Sequence, residues 1–388
     1  MAGRATLAYL GADDVMLVGN PEMTYFIERY SVSIPFAKRL EIISFDAPPG
    51  FGQENSVQIQ KRGDLVMALY LRLNSPPIPG VCDSAMNYMI EYVDLCNGAE
   101  LIERLYGEFI ELMNDIRVPA GKQATLQYLT AKVYPSTFTP LLNSYTIPLP
   151  FSCLSRGLQT EGTDLNLRVI LKNSSDFSIP SFVYTGELDM TLLVEYVYLA
   201  EPIKRDIQIY EQVQRVEFIA PQGANNVRCI LGFMNLVKEL FLVIQNTDSF
   251  GFDFTTNGSY NATRDVWTNG TTEQLSNLVL KFNGVERITK EIGTPLFLRV
   301  IQGMEFHTRV PDRKFYMYSF SLDPDGSVPA GQINMSRVFN QILEINMNPS
   351  AKSRFIRVYA VNYNFLKDGR VMFPNNEEAG ILGLAPPP

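Results

Sequence analysis

Between residues 187 and 198 the chain alternates strictly enough to dictate its local structure. Leu188, Met190, Leu192, Val194, Tyr196 and Tyr198 fall on one face of an extended segment, and Glu187, Asp189, Thr191 and Glu195 fall on the other. Period-two alternation of this length marks a strand with one face in a core. Similar segments recur along the chain. Residues 65–73 and 236–244 are apolar on both faces, as strands inside a sandwich are, and residues 315–322 and 355–365 are rich in aromatics. Asn97-Gly98 and Asn283-Gly284 each lie between two such segments. An Asn-Gly pair in that setting predicts a two-residue hairpin turn, because both central positions need positive φ. A helical pattern follows each hairpin. Leu105, Phe109, Leu112 and Met113 repeat at helical spacing in the first, and a weaker pattern near 296–301 is interrupted by Gly293 and Pro295.

The parallel between the two hairpins extends to an internal repeat. Residues 65–71 match residues 236–242 at an offset of 171 (236 − 65), and the Asn-Gly turns are offset by 186 (283 − 97). Phe151 answers to Phe320 at an offset of 169 (320 − 151), and Tyr196 to Tyr363 at 167 (363 − 196). The matches keep their order, and an insertion before the second hairpin accounts for the larger offset. The expected fold is all-β: two tandem antiparallel eight-stranded jelly rolls with short helices in connecting loops. The expected division is an N-terminal arm at 1–25, a first jelly roll at 26–203, a second at 204–370 and a C-terminal tail at 371–388. The break falls in the polar run 201–206, and Ala385-Pro386-Pro387-Pro388 cannot form a packed element.

Composition narrows the function. The 388 residues are enough for two to three domains of ordinary size. The formal charge of -8 argues against a protein whose main task is gripping phosphates. His307 is the only histidine, which leaves no room for His-based triads or for a two-barrel metalloenzyme of the cupin type. Cys82, Cys96, Cys153 and Cys229 are dispersed, with no Cys-x-x-Cys pair, and read as buried reduced thiols. No run of about 18 apolar residues appears, and the first residues lack the apolar stretch of a signal peptide, so a soluble protein is expected. No enzyme activity and no cofactor are expected.

A set of ordered motifs resembles a known family. Gly19-Asn20-Pro21-Glu22-Met23-Thr24-Tyr25-Phe26, then Pro35-Phe36-Ala37 and Arg62-Gly63-Asp64-Leu65, are similar to the opening landmarks of the double jelly-roll major capsid protein of nucleocytoplasmic large DNA viruses. Ile147-Pro148-Leu149-Pro150-Phe151 resembles its mid-domain motif. Leu192 to Leu199 followed by Glu211-Gln212-Val213-Gln214 resembles the junction between its jelly rolls. Lys238-Glu239-Leu240-Phe241, Tyr318-Ser319-Phe320-Ser321-Leu322, the run from Gly331 to Arg337, and Tyr359-Ala360-Val361-Asn362-Tyr363-Asn364 resemble later landmarks. The matches run in order from about residue 15 to 366. The chain departs from the family at Phe109 and Met113, where members often carry tryptophan, and in its modest insertions.

The resemblance implies a viral major capsid protein that self-assembles into homotrimeric, pseudo-hexameric capsomers tiling an icosahedral capsid. Its implied partners are itself, neighbouring capsomers, minor capsid and penton proteins and an internal membrane, with no direct nucleic-acid binding. Its implied location is the virion capsid, assembled in the host cell cytoplasm. A minor capsid component of the same fold and a non-viral carbohydrate-binding β-sandwich protein are the alternatives.

Individual candidate sites are few. Asn257, Asn261 and Asn269 begin three glycosylation-type triplets in the polar stretch 247–276, expected to be an exposed loop with unmodified asparagines. Triplets at Asn173 and Asn334 carry less weight. Trp267, in the same stretch, is either a contact for a neighbour or a pin for the loop. Gly50-Phe51-Gly52 lacks the strand-then-helix context and third glycine of a phosphate loop. Asp13-Asp14 and Glu377-Glu378 read as solvated termini, and Lys61-Arg62 and Lys204-Arg205 as surface or interface charge.

Overall fold

Strands between Phe36 and Leu199 pair only with one another, and so do those between Gln208 and Val371. The structure, a computed structural model, describes residues 34–74, 82–132, 144–177, 188–201, 203, 207–249, 251–256, 273–326 and 328–374. In the first half the strands are β1 (Phe36–Ser44), β2 (Glu54–Gln58), β3 (Leu65–Asn74), β4 (Ile90–Asn97), β5 (Glu100–Tyr106), β6 (Ser144–Leu149), β7 (Leu158–Gln159), β8 (Leu165–Leu171) and β9 (Asp189–Leu199). In the second they are β10 (Gln208–Ala220), β11 (Asn226–Ile230), β12 (Leu236–Asn246), β13 (Leu275–Phe282), β14 (Val285–Ile288), β15 (Tyr316–Ser319), β16 (Ile333–Asn334), β17 (Gln341–Met347), β18 (Arg354–Lys367) and β19 (Arg370–Val371).

The first half forms sheets β1-β9-β3-β6 and β2-β8-β4-β5, and the second forms β10-β18-β12-β15 and β11-β17-β13-β14. The two-residue strands β7, β16 and β19 are additions at β3, β12 and β18. Without them each half has eight strands in the same interleaved order, two four-stranded antiparallel sheets face to face. This is the expected tandem jelly roll.

Each half has its own core. Leu69, Leu71, Leu167, Val169, Leu192 and Val194 fill the first, and Val237, Ile244, Ile345 and Ile356 the second, all at most 1% exposed. Burial on this scale contributes roughly 1.5–3 kcal/mol per large aliphatic side chain before entropy is counted. All four cysteines are buried and unpaired.

The repeat reaches into irregularities. β3 slips register against β9 between Val66 and Ala68, and β12 slips against β18 between Val237 and Glu239, at the same 171-residue offset (237 − 66). The closing strands are offset by 166 rather than 167, because Val66 pairs with Tyr196 while Val237 pairs with Asn362 (362 − 196). Matching Tyr196 to Tyr363 is wrong by one residue, and one residue in a strand exchanges the two faces.

The second hairpin has its expected turn, with Asn283 at φ 51 and Gly284 at φ 85. The first does not. Asn97 still pairs with Glu100, so the turn is Gly98-Ala99, with positive φ at Gly98 alone. The Asn97 side chain accepts from the Asp164 N–H at 2.7 Å and donates to the Gly369 carbonyl at 2.9 Å.

Both expected helices form. The first is Gly107–Arg117, and the second is a π-helical stretch Leu296–Ile301 running into the α-helix Gln302–Phe306. A Cβ on Gly107 would lie 2.2 Å from the carbonyl oxygens of Asn87 and Ile90, and one on Gly293 would lie 1.9 Å from the Leu278 oxygen. These two glycines are 186 residues apart (293 − 107), so Gly293 is the counterpart of Gly107 and permits the second helix rather than interrupting it. After β19 the chain stays on β18: Phe373 stacks edge-on against Phe365, ring centroids 5.9 Å apart, and accepts from Asn364 Nδ2 at 2.6 Å.

Candidate functional site at the junction of the two jelly rolls

Alternation along β12 and β18 sends Leu240, Leu242, Val358 and Ala360 into the second core and turns Phe241, Val243, Tyr359 and Val361 outward. Those outward side chains are nonetheless buried, because the Gly107–Arg117 helix of the first half lies over them. The Phe109 ring is 5.6 Å from Phe241 and from Tyr359, and Tyr106 is 5.8 Å from Tyr359. Leu112, Met113 and Ile116 complete an apolar seam between the halves.

A layer of opposed charge borders this seam, with carboxylates and cations contributed by both halves. Arg313 donates to Glu111 at 2.9 Å and to Asp83 at 2.6 Å, and its backbone N–H reaches Asp115 at 2.9 Å. Arg357 donates to Glu108 at 2.6 Å, and Tyr359 Oη donates to the same carboxylate. Lys132, from the first half, sits between Glu111 at 3.2 Å and Asp115 at 3.3 Å. Burial works against an ionised Glu111, but the charges of Lys132 and Arg313 outweigh it and hold its carboxyl down to about 2. Side-chain-to-backbone hydrogen bonds add to the weld: Tyr210 Oη and Gln212 Nε2 both donate to the Ile102 carbonyl, at 3.0 and 2.9 Å.

The single histidine belongs to the same layer. His307 Nε2 is 2.6 Å from Glu239 and Nδ1 is 3.2 Å from Asp325, with the imidazole fully buried. Burial disfavours its charged form, yet the two carboxylates prevail and raise it to about 9. Asp325 also accepts from Arg117 of the first half at 2.8 Å. His307 is therefore a cation in a carboxylate clamp, with both ring nitrogens spent. A cleft of about 940 Å³ opens beside the seam, lined by Phe109, Met113, Arg117, Arg156, Tyr210 and Val361 among others. Glu103 borders it; burial pushes its carboxyl up to about 8, against the pull of the Cys153 and Ser152 N–H groups. Among the described residues no group of three or more His, Cys, Asp and Glu side chains is placed to hold a metal. Glu108, Glu111, Asp83 and Asp325 are each engaged by an arginine across the junction, and the arrangement joins domains.

Asn257, Asn261, Asn269 and Trp267 lie outside the described residues, as do Lys204-Arg205, both acidic pairs and the N-terminal arm. Gly50 and Gly52 spend their N–H groups on Asn55 and on the Leu171 carbonyl, so no phosphate cradle exists there. Lys61 makes an exposed ion pair with Asp164 at 3.1 Å. No helix among the described residues is long and apolar enough to cross a membrane. Arg313, Arg357, Glu111 and Asp115 escaped the sequence reading. Their one signal was the spacing of Glu108, Glu111 and Asp115 on a helix that also carries Phe109, Ile110, Leu112, Met113 and Ile116, so that carboxylates and apolar residues are interleaved around it.

Two family models match successive parts of the chain. Residues 24–171 match the major capsid protein N-terminus, and residues 202–370 match the large eukaryotic DNA virus major capsid protein. The chain belongs to the major capsid protein family of large eukaryotic DNA viruses. It is 27% identical over 425 residues to the major capsid protein of Pyramimonas orientalis virus, covering 99% of this chain and 98% of that one. It is 23% identical over 448 residues to the major capsid protein of Paramecium bursaria Chlorella virus 1, covering 99% of each. In fold it is similar to the chain in the PBCV-1 virus capsid quasi-atomic model, with a TM-score of 0.75 at 19% identity, over 91% of this chain and 100% of the other. The Faustovirus major capsid protein gives 0.70 at 10% identity, over 94% and 96%. This capsid protein is structural rather than catalytic, and its place is the virion capsid.

Proposed function

We propose that this capsid protein acts as a homotrimer whose three copies present six jelly rolls in a pseudo-hexameric ring, and that such capsomers tile an icosahedral shell. The supporting observation is the junction itself. Two lobes of identical strand order are held by a buried apolar seam and a layer of opposed charge, so each copy supplies two like lobes in one fixed relation. Obligate interfaces of this kind bury roughly 2,000 Å² or more. The protein should therefore sediment as a trimer at micromolar concentration, and a stable, well-folded monomer there would refute the reading. The proposed division of the chain is that of the sequence reading, near residue 203. The proposed partners are neighbouring capsomers, minor capsid and penton proteins and an internal membrane, without direct nucleic-acid contact, and assembly is proposed in the host cytoplasm. For Asn257, Asn261 and Asn269 the proposal is an exposed loop without sugar. Intact mass spectrometry of virion protein should give the unmodified 43.8 kDa chain, and added hexose mass would contradict it.

A further inference from the structure

The fold treats its two lobes differently. In the second, the outer face of β10-β18-β12-β15 is roofed by the Gly107–Arg117 helix, and the row Arg215, Tyr359, Phe241 runs across it by strand register. In the first, the equivalent row on β1-β9-β3-β6 is Ile42, Leu193, Tyr70. Phe36, Leu40 and Ile42 share the face of β1 that carries this row, at 60%, 54% and 59% exposed. Three large apolar side chains on one strand, with Leu193 opposite Ile42 and the Lys38–Glu195 ion pair (3.1 Å) set among them, mark a contact surface of mixed apolar and charged character rather than a solvated one.

The complementary surface is on the second lobe. Leu296, Val300 and Met304 are spaced by four on the helical stretch that begins beyond Gly293, and Leu296 and Met304 are 65% and 68% exposed. This stretch follows the second hairpin as the Gly107–Arg117 helix follows the first. Within the chain, then, a helix after one lobe's hairpin covers the next lobe's outer sheet. Among the described residues, the second lobe carries the matching helix with nothing beneath that stripe, and the first lobe carries the matching sheet uncovered.

We propose that these surfaces meet between copies: the 296–304 stripe of one molecule covers the Phe36, Leu40, Ile42 face of the next. The contact is heterologous, and it repeats between molecules the lobe-to-lobe step made within each one. Three copies then alternate internal and external steps around a closed ring of six lobes. The assignment rests on the trimer reading and adds which faces form it.

The test uses the full chain. Ile42→Glu and Met304→Glu should each shift sedimentation from trimer to monomer, weakening association by roughly a hundredfold or more. Phe339→Glu, at a residue 94% exposed elsewhere on the second lobe, should leave the trimer intact. Because a charged variant can misfold, Ile42→Cys and Met304→Cys chains are also co-expressed. Oxidation should link the two variants to one another, with neither forming a dimer alone. A wild-type monomer overturns the trimer and this contact with it. A trimer unmoved by both charges, or cysteines that never cross-link, overturns the contact and leaves the trimer standing.

Discussion

Arg313 is 5% exposed and sits among Glu111, Asp83 and Asp115, so its charge is tolerable only because theirs surround it. Removing one partner from such a group strands the others in a poor solvent. Arg313→Met should cost about 3–5 kcal/mol in denaturant unfolding, far more than loss of the exposed Lys61–Asp164 pair. His307 gives a pH signature. Its folded value of about 9 lies above the ordinary 6.5, so its contribution is complete below pH 6.5 and is lost as pH rises through 9. Glu103, raised to about 8, acts in the same direction, whereas the contribution of Glu111 is lost only as pH falls toward 2. Thermal unfolding temperature should fall between pH 7 and pH 10, and His307→Gln should flatten, without abolishing, that fall. Counting one histidine was enough to dismiss imidazole catalysis. It could not reveal this clamp, because Glu239 and Asp325 lie 68 and 18 residues away and meet the ring only after the lobes fold.

At the scale of elements, alternation located the strands because one face of each meets a core. The Asn-Gly pairs located both hairpins, though Asn97 proved to serve through its side chain while Gly98 alone took the turn conformation. The 166-residue offset of the closing strands was invisible for a related reason: tyrosine suits either face of a strand, and only the pairing of Val66 and Val237 decides the register. Gly293 looked like a helix breaker because helix propensity considers only the local chain. Its actual constraint is the Leu278 carbonyl pressed against it, as Asn87 and Ile90 press on Gly107. Gly107→Ala and Gly293→Ala should each lose at least about 1–3 kcal/mol despite higher helix propensity, because backbone atoms cannot yield as a side chain can. Equal or higher melting temperatures in either variant would refute that account.

For the molecule as a whole, the repeat in the sequence was enough to expect two like lobes, and the strand order confirms them. What the repeat could not disclose is which outer sheet face the chain covers for itself. That depends on the Gly107–Arg117 helix reaching across the junction, and on carboxylates at 108, 111 and 115 meeting arginines some 200 residues later. Among the described residues one face is closed internally and its twin is exposed, and on the proposed trimer a second copy covers that twin. The most direct measurement is electron microscopy of the purified protein: three-fold particles with six similar lobes are expected, and particles of one two-lobed copy, stable and unassociated at micromolar concentration, would contradict the account.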